Sequence, residues 1–173
     1  MENNRNKYPV RKRTRLKEYD YSNNGYYFIT ICIDDRKNYF GSVIKNKIKL
    51  SIYGKEVEKI LLSLKDRFQV IEIDYYVIMP NHIHLIIILE NGDDSQKSIT
   101  EIIGAFKSLT TIELHKMGLK EFKWQRSFYD RIIRDEKELF NIRQYIDQNP
   151  LRWEIEKNNP GNLEMKRHFT FGE

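Results

Sequence analysis

At 173 residues the chain has the length of one domain, and its 40% hydrophobic and 13% aromatic content fits a packed core and excludes a disordered polymer. A mean hydropathy of −0.67, 32% charged residues, a net charge of +5 and a pI near 9.1 describe a heavily charged, basic surface suited to a polyanionic partner. Cys32 is the single cysteine, which excludes an internal disulfide or a cysteine-rich metal site and suits a reducing, cytoplasmic setting.

In chain order, residues 1–20 read as a basic arm. Arg5, Lys7, Arg11, Lys12, Arg13, Arg15 and Lys17 are opposed only by Glu2 before Glu18 is reached. The segment lacks the apolar centre of a signal peptide. The longest apolar runs, YYFITICI and IHLIIIL, fall far short of the roughly 20 residues of a membrane helix, so no membrane partner is expected. Such an arm is either a solvated tail or a flexible segment that neutralises phosphates.

Gly25 to Asp34 is dense in aromatic and β-branched residues and predicts a strand. VIKNKIKLS predicts a hairpin turning at Lys45-Asn46. From Tyr53 to Phe68, Val57, Ile60, Leu61 and Leu64 recur at helical spacing and predict one helix. Two strands follow, Val70–Met79 and His82–Glu90, broken by Pro80-Asn81. Ser98 and Glu101 form a capping-box signature for a helix to Lys116, with Ile102, Ile103, Phe106, Leu109 and Ile112 as its apolar stripe. WQRSFYDRIIR reads as the last strand. Asp135 then caps a helix over Glu136–Gln148 that Asn149-Pro150 is expected to end, leaving residues 153–173 as a polar tail and 21–152 as the folded domain. The predicted class is α+β, a mostly antiparallel sheet with helices packed on it.

Within YVIMPNHIHLIIILE, His82 and His84 stand two residues apart on one face of the second central strand, about 6.5–7 Å apart along the backbone. Ile83, Leu85 and Ile87 point to the opposite face. Two imidazoles so placed can converge on one divalent metal. Equally, an isolated His-x-His is a pair of half-buried rings bonded to backbone or carboxylates. His115 and His168 have no such company and read as surface residues.

In NIRQYIDQNP, Leu139, Ile142 and Ile146 form the inward stripe of the helix. Tyr145 lies at its border, in line with Asn141 and Asn149 at i−4 and i+4. A boundary tyrosine packs its ring and wets its hydroxyl. As a nucleophile, with a reference pKa of about 10, it needs a polarised electrophile or a base. The carbonyl oxygen of Asn149 suits a hard cation such as Mg²⁺ or Mn²⁺.

Four segments in this order, RLKEYDYSNNGYYFITIC, YYVIMPNHIHLII, WQRSFYDRIIR and IRQYIDQNPLRW, resemble the single-tyrosine HUH transposases, and most closely the REP-associated tyrosine transposases. The resemblance spans Arg15 to Trp153 and implies a ferredoxin-like HUH fold. It further implies that His82 and His84 are metal ligands and that Tyr145 is the nucleophile. Asn149 falls where related enzymes place a third ligand, usually Gln in the insertion-sequence relatives. The activity so implied is cleavage and rejoining of single-stranded DNA near a hairpin through a 5′-phosphotyrosine, with Mg²⁺ or Mn²⁺ polarising the scissile phosphate. It leaves open whether a monomer or a homodimer acts.

DNA contacts are expected from Arg11, Lys12, Arg13, Arg15 and Lys17 of the arm, from Lys107, and from Trp124, Arg126, Arg131 and Arg134 as base-stacking and phosphate-binding groups. Their bland counterparts are a solvated helix face for Lys107 and ion pairs of the arginines with Asp130, Asp135 or Glu136. Tyr129 is a rival nucleophile, with strand packing as its ordinary role. A non-catalytic module that binds DNA or RNA hairpins is the competing function. A barrel-type metal hydrolase is excluded, because that fold needs roughly 200–250 residues and more ligands.

Overall fold

The computed structural model describes residues 19–93 and 96–158. Its strands are β1 (Gly25–Cys32), β2 (Gly41–Ile44), β3 (Lys47–Leu50), β4 (Ile71–Met79), β5 (His82–Leu89) and β6 (Tyr129–Ile133). The helices are α1 (Ile52–Leu62), α2 (Leu64–Arg67), α3 (Ile99–Lys116) and α4 (Glu136–Asn158). Four strands form one sheet in the order β4-β5-β1-β6, and every neighbouring pair is antiparallel. With α1 and α3 as the crossovers, this is the βαββαβ arrangement of ferredoxin-like domains. The ribbon β2-β3 stands outside the sheet.

The two-residue periodicity of β1 and β5 divides the molecule. Tyr27, Ile29 and Ile31 of β1 and Ile83, Leu85, Ile87 and Leu89 of β5 are fully buried against Ile102, Ile103 and Phe106 of α3 and Val57 and Leu61 of α1. Each such aliphatic side chain contributes roughly 1.5–3 kcal/mol on burial. On the other face, Phe28 and Ile86 pack against Leu139, Ile142 and Ile146 of α4. The helix stripe read from sequence is therefore the surface that lays α4 over the histidine side of the sheet.

Several boundaries differ from expectation. The helix predicted over Tyr53–Phe68 is broken at Ser63, whose hydroxyl donates to the carbonyl of Ile60 at 2.8 Å and competes with the main-chain ladder. The strand predicted from Trp124 begins only at Tyr129, and Trp124 makes an isolated bridge with Ile33. The largest departure is at Pro150. Instead of ending there, α4 continues to Asn158, so the start of the predicted tail is helical. Proline fits the helical φ but forfeits one N–H, at a cost of ~3 kcal/mol. The helix finds partners from that point onward: Pro150 is buried, the Trp153 ring lies 5.7 Å from that of His82, and the Glu154 carboxylate accepts from the Asn46 N–H at 2.6 Å. The Ser98–Glu101 capping box and the Lys45-Asn46 turn, both residues at positive φ (49° and 62°), are as predicted. Among the described residues no helix is long and apolar enough to cross a membrane.

Candidate active site

In the sheet register His84 stands between Thr30 on β1 and Val77 on β4, and His82 between Cys32 and Met79. All six side chains share the face covered by α4. His84 is 5% exposed and stacks on Phe28 with ring centroids 5.6 Å apart. The Nε2 atoms of the two histidines are 3.1 Å from each other.

What lies behind each ring determines what lies between them. Nδ1 of His82 is 2.8 Å from Oδ1 of Asn81. The Asn81 amide is oriented by its own Nδ2, which donates to the carbonyl of Arg36 at 2.9 Å. An amide oxygen only accepts, so Nδ1 of His82 carries the proton and its Nε2 presents a bare lone pair. Nδ1 of His84 is 2.8 Å from the Thr30 hydroxyl. The 3.1 Å gap therefore contains either a proton carried by Nε2 of His84 or a cation shared by both nitrogens. Two nitrogens bound to one ion at about 2.1 Å stand about 3.0–3.4 Å apart, a separation that this pair matches. Burial first, and the neighbouring His82 second, hold His84 well below the usual histidine range, in the neutral form that ligates. Among the described residues no cluster of three or more His, Cys, Asp and Glu side chains is arranged around a metal. Further ligands to an ion at this pair would be oxygen atoms of an amide, a phosphate or water.

Helix α4 brings the remaining groups. The Tyr145 ring is edge-on to His84, 5.3 Å between centroids, and edge-on to Phe28 at 5.9 Å. Burial raises its hydroxyl above the ordinary tyrosine value, against the lowering influence of the Asn149 amide and then of Arg152, whose guanidinium lies 5.4 Å over the ring. Asn149 is 8% exposed and donates Nδ2 to the Tyr145 carbonyl at 3.1 Å. The same amide interacts with His84 and with the Tyr145 side chain. Positions 145, 149, 152 and 153 lie on one helical face. Arg152 and Trp153 belong to the stretch beyond Pro150, which is why the continuation of α4 matters to the site.

The structure thus brings together His82, His84, Tyr145 and Asn149. Other predicted residues fare differently. Lys107 is not offered to solvent for a phosphate: its ammonium donates to the carbonyls of Gln125 (2.6 Å) and Arg126 (3.1 Å), tying α3 to the connection before β6. Trp124 is a core residue, 8% exposed, packed against Phe40, Phe106 and Phe122, with its indole N–H donating to Thr110 at 2.8 Å. Arg131 shares the histidine face through its register with Phe28 but pairs with Glu138 at 2.5 Å. Arg126 and Arg134 are exposed. Tyr129 is 57% exposed on the edge strand, opposite Thr30, and lacks the enclosure of Tyr145. His115 is no plain surface residue, since its Nε2 lies 2.9 Å from the Phe122 carbonyl. Arg11, Lys12, Arg13, Arg15, Lys17 and His168 lie outside the described residues. Sequence reasoning missed Thr30, Asn81 and Trp153. Thr30 alternates with Phe28, but only the pairing of β1 with β5 reveals that it faces His84.

The family described as "Transposase IS200 like" matches residues 21–149. The chain belongs to that transposase family. A protein of Haemophilus influenzae with no assigned function is 36% identical over 162 residues, 83% of this chain and 90% of the relative. A second Haemophilus influenzae protein, provisionally named a REP-associated tyrosine transposase, is 32% identical over 141 residues, 77% of this chain and 74% of the relative. Among solved structures, a REP-associated tyrosine transposase bound to a REP hairpin superposes with a TM-score of 0.60 at 26% identity, covering 80% of this chain and 74% of that one. The fold is that of the HUH transposases.

Proposed function

We propose that this transposase cleaves and rejoins single-stranded DNA beside a hairpin, with Tyr145 as the nucleophile and His82, His84 and Asn149 as the residues that hold a divalent cation, Mg²⁺ or Mn²⁺. The observation that carries the reading is the enclosure of Tyr145 within 5.3 Å, ring to ring, of a histidine whose Nε2 converges with that of its neighbour. A bound divalent ion supplies Lewis-acid polarisation of a phosphate oxygen. The chain's own residues do the rest. Tyr145 attacks phosphorus, a bond forms between its phenolic oxygen and the 5′-phosphate, and the bond to the 3′-oxygen breaks, releasing a 3′-hydroxyl. A second 3′-hydroxyl reverses the step and joins strands without external energy. Asn149 restrains Tyr145 through its main-chain carbonyl, and Arg152 offers a cation to the phosphate near the tyrosine.

Hairpin DNA as substrate is supported by the hairpin held by the structural neighbour. Tyr145 meets His84 of its own chain, at 5.3 Å between ring centroids, which supports action as a monomer. We assign catalysis to residues 21–152 together with the helical turn that follows, and DNA contacts to Arg126, Arg131 and Arg134 and to the basic arm of residues 1–20. The test is a covalent adduct. With Mg²⁺ or Mn²⁺ and hairpin oligonucleotides from the palindromes flanking the gene, the protein is expected to form a denaturation-resistant complex that Tyr145→Phe abolishes while binding persists. Binding without any adduct would favour the non-catalytic hairpin-binding module instead.

A further inference from the structure

The β2-β3 ribbon has a composition and a position that the site does not use. From residue 36 to residue 55 the chain carries Arg36, Lys37, Lys45, Lys47, Lys49 and Lys55 and no acidic residue. In the ribbon register Ser42 opposes Lys49 and Ile44 opposes Lys47, so these four side chains share one face, and all are exposed. Lys45 is exposed at the turn. The ion pairs among the described residues leave Lys45, Lys47 and Lys49 without a carboxylate. The two faces differ: Val43 and Ile48 are half-buried on one, while Ser42, Ile44, Lys47 and Lys49 are exposed on the other.

The ribbon is also fixed beside the site. Its turn donates the Asn46 N–H to Glu154 at 2.6 Å, and the residue before Glu154 is Trp153, whose ring is 5.7 Å from His82. A strand whose phosphate lies at the histidine pair therefore leaves that pair within reach of the lysine face. Four-residue strands are about 13 Å long, and a two-stranded ribbon is one of the two protein elements that enter the roughly 12 Å wide major groove of a duplex.

We infer that the outer face of the β2-β3 ribbon, through Lys45, Lys47 and Lys49, is the docking surface for the double-stranded stem of the DNA hairpin, while the single strand occupies the histidine and tyrosine face. This rests on the function proposed above. The other role of such lysines is to keep a ribbon edge from pairing with a second chain, and that role makes no demand on DNA affinity.

Salt-dependent binding separates the two. The probes are a labelled DNA hairpin with a stem of about eight base pairs and a single-stranded flank, and an oligothymidine of equal length. In K45Q/K47Q/K49Q the slope of log affinity against log salt is expected to fall by about 2–3 for the hairpin and to stay as in wild type for oligothymidine. K45R/K47R/K49R restores the slope. The control K59Q/K65Q, on α1 and α2 across the sheet from the histidine face, changes neither probe. An unchanged hairpin slope in the glutamine variant, or an equal loss on both probes, overturns the assignment. Adduct formation is scored on the same samples. Its absence with wild-type protein counts against the proposed chemistry, whereas the slope difference between probes decides the ribbon by itself.

Discussion

The hydroxyl of Thr30 on β1 and Nδ1 of His84 on β5 face each other across one register position at 2.8 Å. This bond sets the rotation of a buried imidazole and so aims its Nε2 at that of His82. Thr30→Val preserves the side-chain shape and deletes the partner. Losing an outer hydrogen bond of this kind costs about 10–100-fold in metal affinity. Calorimetric titration with Mn²⁺ is expected to show that loss, together with a melting temperature a few degrees lower, because the buried Nδ1 is left without its partner. Equal affinity would mean that packing alone holds the ring.

The buried, neutral state of His84 has a consequence for the metal-free protein. Its pKa is lowered in the fold, so the unfolded chain takes up a proton at a higher pH than the folded chain does. The stability associated with the neutral ring is therefore complete above about pH 6.5 and is lost progressively as pH falls below it, at up to about 1.4 kcal/mol per pH unit. Urea melts in the presence of a chelator between pH 7.5 and pH 5 check this. His84→Gln is expected to flatten that part of the curve.

Helix α4 is fastened to the sheet by polar contacts as well as by its apolar stripe. Arg143 makes a two-pronged pair with Asp74, its Nε donating at 2.9 Å, and the Tyr75 hydroxyl donates to Asp147 at 3.3 Å. Arg143 is partly exposed, so the pair contributes only about 1 kcal/mol to stability. Its larger effect is on the placement of Tyr145, two residues further along. Arg143→Ala is expected to slow adduct formation roughly tenfold with little change in DNA affinity, because misplacing a nucleophile costs rate before it costs binding. Exchanging the charges in D74R/R143D should recover part of the rate. A rate equal to wild type in Arg143→Ala would remove the pair from any positioning role.

Trp124 discriminates core from interface. Trp124→Ala removes a buried indole and the donor that its N–H offers to the Thr110 hydroxyl, with an expected loss of about 3–5 kcal/mol in a denaturant titration. If Trp124 stacked on bases, stability would change little and DNA affinity would fall instead.

Much of this protein was legible in its residues because much of it is periodic. Alternation in β5 separates His82, His84 and Ile86 from Ile83, Leu85 and Ile87, and the 3.6-residue stripe Leu139, Ile142, Ile146 defines the buried side of α4. Capping at Ser98 and the turn at Lys45-Asn46 are local chemistry, readable within a few residues. The surroundings of Trp124 and Lys107 are not local: a tryptophan among arginines, or a lysine on a helix, looks the same in sequence whether it meets solvent or, as here, a distant hydroxyl or main-chain carbonyl. Pro150 has the local signature of a helix stop, yet Trp153 and Glu154 beyond it find partners 71 and 108 positions back along the chain. Local pattern thus gave most elements, the faces they bury, and the histidine pair and tyrosine of the site. Strand register, the reach of α4 and the meeting of Tyr145 with His84 come only with folding, because they depend on contacts between residues that are far apart in sequence and neighbours only in the folded chain.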